Sequence, residues 1–384
     1  MNLSWLNHKS SLTGLVLALT GGLAWNLPGM LGPALSIFLV IGVSYATGRW
    51  SRFLSAFLYF LAGSWGIVPG AETFFGAGPE TRLLGLALWL GSSAILSLPW
   101  IWAGTARGIV LALLLDAFPP MGLIGWLSPL SAAGVFFPGS GWAGILFLLY
   151  WMVSHAWEDR FAVLWLAILM AIGANLLYVH PQTPAGWMGI NTDAGLVPEN
   201  PLAVIERNGR LIRKVIRKSP DARIVVLPET VAGYWWPGTA AQFRNSVPHG
   251  QLWLIGASVW EADGQRWDAL VPISDDDFSS HLPLLRAAFP VPVSMWHPWQ
   301  SKGYSAAWWE RSSTVAGKTV FVNICYDQLL PWVWLEALIQ KPDIIPAVSN
   351  VWWAKGTSIP GIERETSEAW GRLMATPVVI AINR

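Results

Sequence analysis

The stretch Val320-Phe321-Val322-Asn323-Ile324-Cys325-Tyr326-Asp327 runs from an apolar segment into a thiol and then a carboxylate. A short run of β-branched and aromatic residues of this kind is the pattern of a buried strand. Cys325 is the only cysteine among 384 residues, which excludes a disulfide within the chain. Upstream, a second apolar run, Ile224-Val225-Val226-Leu227, leads into Pro228-Glu229-Thr230. Both runs read as buried parallel strands that deliver one reactive side chain each at their C-terminal ends, where sites form in open α/β sheets. A carboxylate beside a thiol can take its proton and generate the thiolate, which is the nucleophile. Alone, a cysteine is commonly a small buried hydrophobe. It is the pair of strand-end positions that points to chemistry.

Outward from these strands, composition divides the chain. The whole is 53% hydrophobic and 12% charged, against about 25% charged in a typical soluble domain. The shortage lies before His180. There the sequence predicts about seven apolar spans, each near the roughly 20 residues that cross a bilayer. They are Ser11–Leu27, Pro28–Gly48, Phe53–Pro69, Leu83–Ala103, Gly108–Trp126, Gly141–Trp157 and Phe161–Val179. A large soluble helical core would need amphipathic faces, and these segments have almost no polar face. Lys9, Arg49, Arg52, Arg107 and Arg160 fall in alternate short loops, which makes that side cytoplasmic and puts everything after Val179 outside. The stretch Asp116–Gly141 contains Phe118-Pro119-Pro120, Pro129 and Pro138. It is too broken for a single lipid-exposed helix and is expected either as a loop or partly inserted arm on the outer face or as an ordinary extracellular loop. A formal net charge of +1 gives no reason to expect a nucleic-acid partner.

From His180 onward the pattern is that of an α/β domain. Strands are expected at Trp187–Ile190, Ile224–Leu227, Leu252–Val259, Asp268–Ile273, Lys318–Ile324, Ile344–Val348 and Pro377–Ile382, with helices at Pro201–Lys218, Leu330–Gln340 and Arg364–Met374. Such alternation predicts crossover units on a largely buried sheet. The expected organisation is a multi-span α-helical membrane domain over 1–179 and an α/β domain over 180–384.

Three motifs, Leu227-Pro228-Glu229-Thr230, Asn323-Ile324-Cys325-Tyr326-Asp327 and Ser349-Asn350-Val351-Trp352-Trp353, resemble the nitrilase (carbon–nitrogen hydrolase) superfamily. Within it the chain is similar to bacterial apolipoprotein N-acyltransferases, which carry membrane helices ahead of a periplasmic nitrilase domain. Pro290-Val291-Pro292-Val293-Ser294-Met295-Trp296, continuing to Trp299, resembles conjugal-transfer proteins of agrobacterial and rhizobial plasmids, shorter relatives of those acyltransferases. The resemblance implies an αββα sandwich and a Glu-Lys-Cys triad, with Glu229 as general base and Cys325 as nucleophile. The segment that should hold the lysine, Leu284-Leu285-Arg286-Ala287-Ala288-Phe289-Pro290, has none. A gapless match puts Ala287 at that position, with Arg286 one place away and Lys302 and Lys318 farther on. The family's second glutamate falls on Met295, and its acidic residue after the cysteine is kept as Asp327.

The triad lysine stabilises an oxyanion, and loss of such a donor typically costs about 10²–10³ in rate. A guanidinium does not replace an ammonium conservatively, yet Arg286 is the nearest candidate cation. The 27 tryptophans include many near span ends, such as Trp5, Trp50, Trp100, Trp126, Trp142 and Trp157, where interfacial anchoring accounts for them. Trp296, Trp352 and Trp353, with Asp327, are the candidate substrate-binding residues. Together these features predict a membrane-bound acyltransferase or amidase that forms a cysteine thioester on a phospholipid or lipidated protein, without cofactor or metal, in conjugal transfer. The competing expectation is a catalytically degenerate relative with a structural role in conjugation or envelope assembly. The retained Glu229 and Cys325 favour the first and the missing lysine the second.

Overall fold

The computed structural model describes residues 4–154, 160–276, 279, 281–300, 303–309 and 312–384. The anchor Trp157, the end of the span Gly141–Trp157 and the candidate cation Lys302 lie outside the described residues. The chain forms two compact units. One holds Met1–His180 with Leu329–Trp334 and Trp353–Ala375; the other holds Pro181–Gln328, Leu335–Trp352 and Thr376–Arg384.

In the first unit the apolar stretches are helices, most of them shorter than the expected spans. They are α1 (Ser4–Ala24), α2 (Leu31–Leu35), α3 (Phe38–Tyr45), α4 (Arg49–Ser64), α5 (Ile67–Phe75), α6 (Pro79–Ser97), α7 (Ala106–Ala117), α8 (Ala132–Phe136), α9 (Trp142–Ser154) and α10 (Arg160–Leu177). Among the described residues one helical stretch, Pro79–Trp102, is long and apolar enough to cross a membrane, and α4 with α5 forms a second only as a pair bent by 46°. Hydropathy registers composition and does not see backbone breaks. Pro28-Gly29 precede α2, Gly66 separates α4 from α5, and Pro119-Pro120 follow α7; proline lacks the N–H that a helix interior needs.

This unit buries several small polar side chains among its apolar core and leaves many leucines exposed. Ser36, Ser55, Ser64, Ser93 and Ser97 are buried, while Leu12, Val16, Leu23, Leu83, Leu146 and Leu169 are exposed. Gly14 and Gly42 meet backbone to backbone, so that a Cβ on either would collide with the other's carbonyl. The proline-rich stretch is covered by protein: Trp126, Leu127, Leu130 and Phe137 are buried. Its α8 lies against α14 (Ile359–Met374), with Arg372 Nε donating to the Gly134 carbonyl at 3.2 Å.

The second unit contains two sheets. The first has the order β1 (Trp187–Gly189), β2 (Ile224–Val226), β3 (Leu252–Trp260), β4 (Arg266–Ser274), β5 (Leu285–Arg286). Its first three strands are parallel, and β4 and β5 add antiparallel. A hairpin, β6 (Ser313–Val315) and β7 (Lys318–Val320), precedes β8 (Asn323–Ile324). The second sheet pairs β8, β9 (Ile345–Asn350) and β10 (Val378–Asn383) in parallel, with β9 central.

Strand alternation sorts the core. Val225, Leu227, Trp253, Ile255, Ala269 and Val271 pack with Leu211, Ile212 and Val215 of α11 (Pro201–Lys218) and Phe243 of α12 (Pro237–Arg244). Ile224, Val226, Leu252, Leu254 and Leu270 point the other way and pack with Ile324, Val348, Val379 and Ala381 of the second sheet. Each large apolar side chain fully buried this way contributes about 1.5–3 kcal/mol. Three of the four expected layers, α11 with α12 and the two sheets, therefore lie in this unit. The expected fourth layer is divided: α13 (Pro331–Gln340) belongs to the first unit up to Trp334, and α14 belongs to it entirely. Within that unit Trp334 and Trp370 stack at 6.2 Å.

Candidate active site

β2 continues into Leu227, whose N–H still pairs with the Leu254 carbonyl at 2.9 Å. The chain then leaves the sheet at Pro228-Glu229, and Thr230 takes a left-handed φ of 42°. This exit is possible because β3 has glycine beneath it. A Cβ at Gly256 would run into the Pro228 carbonyl and stand 2.7 Å from the Glu229 Cα. Glu229 is 3% exposed. Its carboxylate accepts the backbone N–H of Asn350, at the end of β9, at 2.8 Å. The Asn350 side chain donates to Thr230 Oγ1 at 2.9 Å and accepts from Asn383 Nδ2 at 2.8 Å. Asn383 Oδ1 in turn accepts from Thr192 Oγ1 and the Ala194 N–H, both at 2.8 Å. The glutamate turn is thus seated by the ends of both β9 and β10.

Cys325 follows β8 directly and opens the short 3-10 turn Cys325–Leu329. It is 5% exposed and holds φ at 50°. For a residue other than glycine this conformation costs free energy, and such strain concentrates at functional sites. Gln328 of the same turn donates to the Val348 carbonyl at 3.0 Å and to Ser349 Oγ at 2.7 Å. Asp327 is fully buried and accepts three backbone N–H groups, from Ala288 at 3.0 Å, Phe289 at 2.8 Å and Ile324 at 3.2 Å. Burial lifts its carboxyl to about 8, against the opposing pull of those three donors. Expected as a substrate contact, Asp327 ties the segment after Ala287 to the cysteine turn.

Ala287 and Cys325 share one buried cluster. Arg286 is not brought there. Its register partner is Ala269, on the face opposite Leu285 and Ala287. Its guanidinium is ion-paired to Glu261 and lies 4.4 Å from the centre of the Trp267 ring. The expectation of a site cation at Arg286 is thereby corrected, because one step along a strand reverses the side chain. Lys318 lies on the β7 hairpin, paired with Val315.

Asp268 was not foreseen as a site residue. It is 2% exposed on β4, facing Ser258 of β3, and its carbonyl accepts the Ala287 N–H at 2.8 Å. Its carboxyl is hydrogen-bonded to that of Glu229. Burial, and then the neighbouring Glu229 charge, push its pKa well above the carboxylate range, with Arg266 opposing. Arg266 is two residues away on the same face of β4. It donates to Ser258 Oγ at 2.9 Å and Tyr304 Oη at 2.7 Å, and lies 3.9 Å from the Tyr304 ring centre. The sequence signal was an acid at a position whose alternation with Leu270 points it inward.

Trp296 belongs to an aromatic cluster, 4.9 Å from Phe289 and 6.0 Å from Trp308, and Phe289 is 6.5 Å from Tyr326 beside the cysteine. Trp353 packs in the first unit against Gly70 and Phe74. Trp352 is half-buried at the start of the turn Trp352–Ala354.

No protein-family model matches the chain. A "Probable conjugal transfer protein TraB" of Sinorhizobium fredii is 33% identical over 380 residues, covering 94% of this chain and 95% of the relative. The chain belongs to the TraB family of conjugal transfer proteins. A second TraB, of Agrobacterium fabrum, is 28% identical over 396 residues, covering 94% of this chain and 90% of its own. Among solved structures, a carbon–nitrogen hydrolase of Helicobacter pylori is 14% identical over 43% of this chain and 58% of its own, with a TM-score of 0.33. An amidase of Nesterenkonia, with an acrylamide adduct on its active-site cysteine, is 12% identical over 43% and 65%, with a TM-score of 0.31. At those scores the reading of this TraB-family site rests on its own residues. They bring a buried carboxylate and a strained strand-end thiol into a unit whose inner face also carries a second carboxyl.

Proposed function

We propose that this chain is a membrane-embedded, nitrilase-type cysteine enzyme of plasmid conjugation, which transfers an acyl group from a phospholipid or lipidated protein. Cys325 Sγ attacks the acyl carbonyl as Glu229 takes the thiol proton. A thioester forms, the leaving group departs with that proton, and an amine or water then releases the acyl group and restores the thiol. One observation carries this reading: Cys325 is buried and held at φ 50° at a strand end, in a chain that also buries Glu229. The aromatic cluster of Phe289, Trp296 and Trp308 beside Tyr326 suits an acyl chain. Exposed leucines, with buried serines and close glycine contacts between helices, support immersion of the first unit in lipid, since membrane bundles pack through small residues. The basic loops favour a multi-pass inner-membrane protein with its C-terminal part in the periplasm.

A second reading has its own observation. With Ala287 at the lysine position and Arg286 turned away, the fold would serve conjugation without turnover. Mass spectrometry of the purified protein separates the two. An acyl adduct on Cys325, absent in Cys325→Ser, supports the enzyme; an unmodified thiol that iodoacetamide labels no faster than a model thiol supports the scaffold. For topology, alkaline phosphatase fused after Asn200 is expected to be active and fused at Arg107 inactive, and the reverse pattern would exclude the lipid-linked periplasmic substrate.

A further inference from the structure

Two carboxyl groups that hydrogen-bond to each other need a proton between them, because two carboxylates have only acceptors. Glu229 and Asp268 form such a pair. The two partners differ in what else they touch. Glu229 accepts the Asn350 N–H at 2.8 Å, which favours its ionised form. Asp268 is 2% exposed, and its Oδ1 has no hydrogen-bond partner among the described residues. A buried carboxylate oxygen without a donor is costly, whereas the carbonyl oxygen of a neutral acid is much less so.

We infer that Asp268 holds the proton of this pair and donates it in a hydrogen bond to Glu229, and that Asp268 is a positioning residue that sets the strength of Glu229 as a base. The second half rests on the proposed action of Glu229 on Cys325; the first does not. The pair carries one negative charge. Its surroundings are Arg266 on the same strand, Tyr304 against Arg266, and Asp327 in the cysteine turn. Donation by Asp268 draws charge from Glu229 and weakens it as a base while the proton stays. Once the last proton of the pair is lost, Glu229 faces a second carboxylate and becomes a stronger base. The proton thus supplies a restraint on thiol activation, in a site where Ala287 provides no side-chain cation.

Two measurements on the full-length protein in detergent test this. Infrared difference spectra at neutral pH should show a protonated-carboxylic-acid C=O band that Asp268→Asn removes. Asp327 and Glu365, whose carboxyls are also raised, contribute similar bands and cancel in the difference. Glu229→Gln should keep the Asp268 band, since burial alone holds that proton; loss of the band in Glu229→Gln would place the proton on Glu229 and overturn the assignment. Should Asp268→Asn fail to fold, the wild-type and Glu229→Gln spectra still decide. The second measurement is the pH profile of Cys325 alkylation by iodoacetamide. The wild-type profile should carry a step where the pair loses its proton, and Asp268→Asn should lose that step. A band removed with no change in profile would keep the shared proton and refute the coupling of Glu229 to Cys325. The absence of any difference in this band between wild type and Asp268→Asn would overturn the inference outright.

Discussion

Asp327, two residues beyond the cysteine, accepts the backbone N–H of Phe289 at 2.8 Å, and its other oxygen accepts those of Ala288 and Ile324. One buried carboxyl group thus fixes the cysteine turn to the segment that follows Ala287. Replacing it by alanine leaves three buried N–H groups without partners, at about 1–3 kcal/mol each before relaxation. Asp327→Ala is expected to lower unfolding free energy by about 3 kcal/mol or more, read from the denaturation midpoint of the second unit. Unchanged stability would contradict the clamp.

The same residue gives stability a pH dependence. Unfolded, Asp327 ionises at its ordinary value of 3.8; folded, it keeps its proton to about 8. Its contribution is full below the unfolded value and is lost as pH rises through the folded one. Asp268 is raised in the same direction. The second unit should therefore lose stability between about pH 4 and pH 8, and Asp327→Asn should flatten that slope. A midpoint that rises across this window would show the carboxyls to be ionised when folded.

Gly256 is predicted to be intolerant of even one methyl group, because that group would occupy the Pro228 carbonyl and crowd Glu229. Gly256→Ala should cost about 1–3 kcal/mol by overpacking and slow Cys325 alkylation, as is expected of Glu229→Gln if Glu229 takes the thiol proton. A variant with wild-type labelling would show that the glutamate turn does not depend on its contact with β3.

Arg286→Ala should leave the alkylation rate of Cys325 unchanged, since its guanidinium is engaged by Glu261 and Trp267. The expected loss is at most about 1 kcal/mol of stability. Arg266→Ala should instead move the pH profile of labelling, because Arg266 acts on the carboxyl pair. If Arg286→Ala slowed labelling and Arg266→Ala did not, the side-chain assignment from strand register would be refuted.

Both strand-end residues were legible because their strands are short apolar runs stopped by Pro228 and by the Cys325 turn, a pattern with few competing readings. Asp327 was visible as a motif residue, but its role was not, since three backbone donors converge on it from two segments. Asp268 was hidden for a similar reason. In sequence it is the polar start of a strand; only pairing of β4 with β3 and β5 brings it inward beside Glu229. Arg286 shows the converse error, where proximity in sequence suggested proximity in space. The helices of the first unit were found by composition, while their lengths were set by Pro28, Gly66 and Pro119-Pro120, which hydropathy averages away.

The Asn383–Asn350–Glu229 connection also bears on how the protein reaches this state. The glutamate turn takes its N–H donor from a residue 121 positions later, and Asn383 closes on Thr192 across 191 positions. Contacts of such sequence separation form late, because loop-closure entropy must be overcome before they stabilise anything. If Glu229 acts on Cys325 as proposed, the two should accordingly remain uncoupled until β10 docks, which would delay reactivity until this unit has folded. Onset of rapid Cys325 labelling would then serve as a clock for the final docking step.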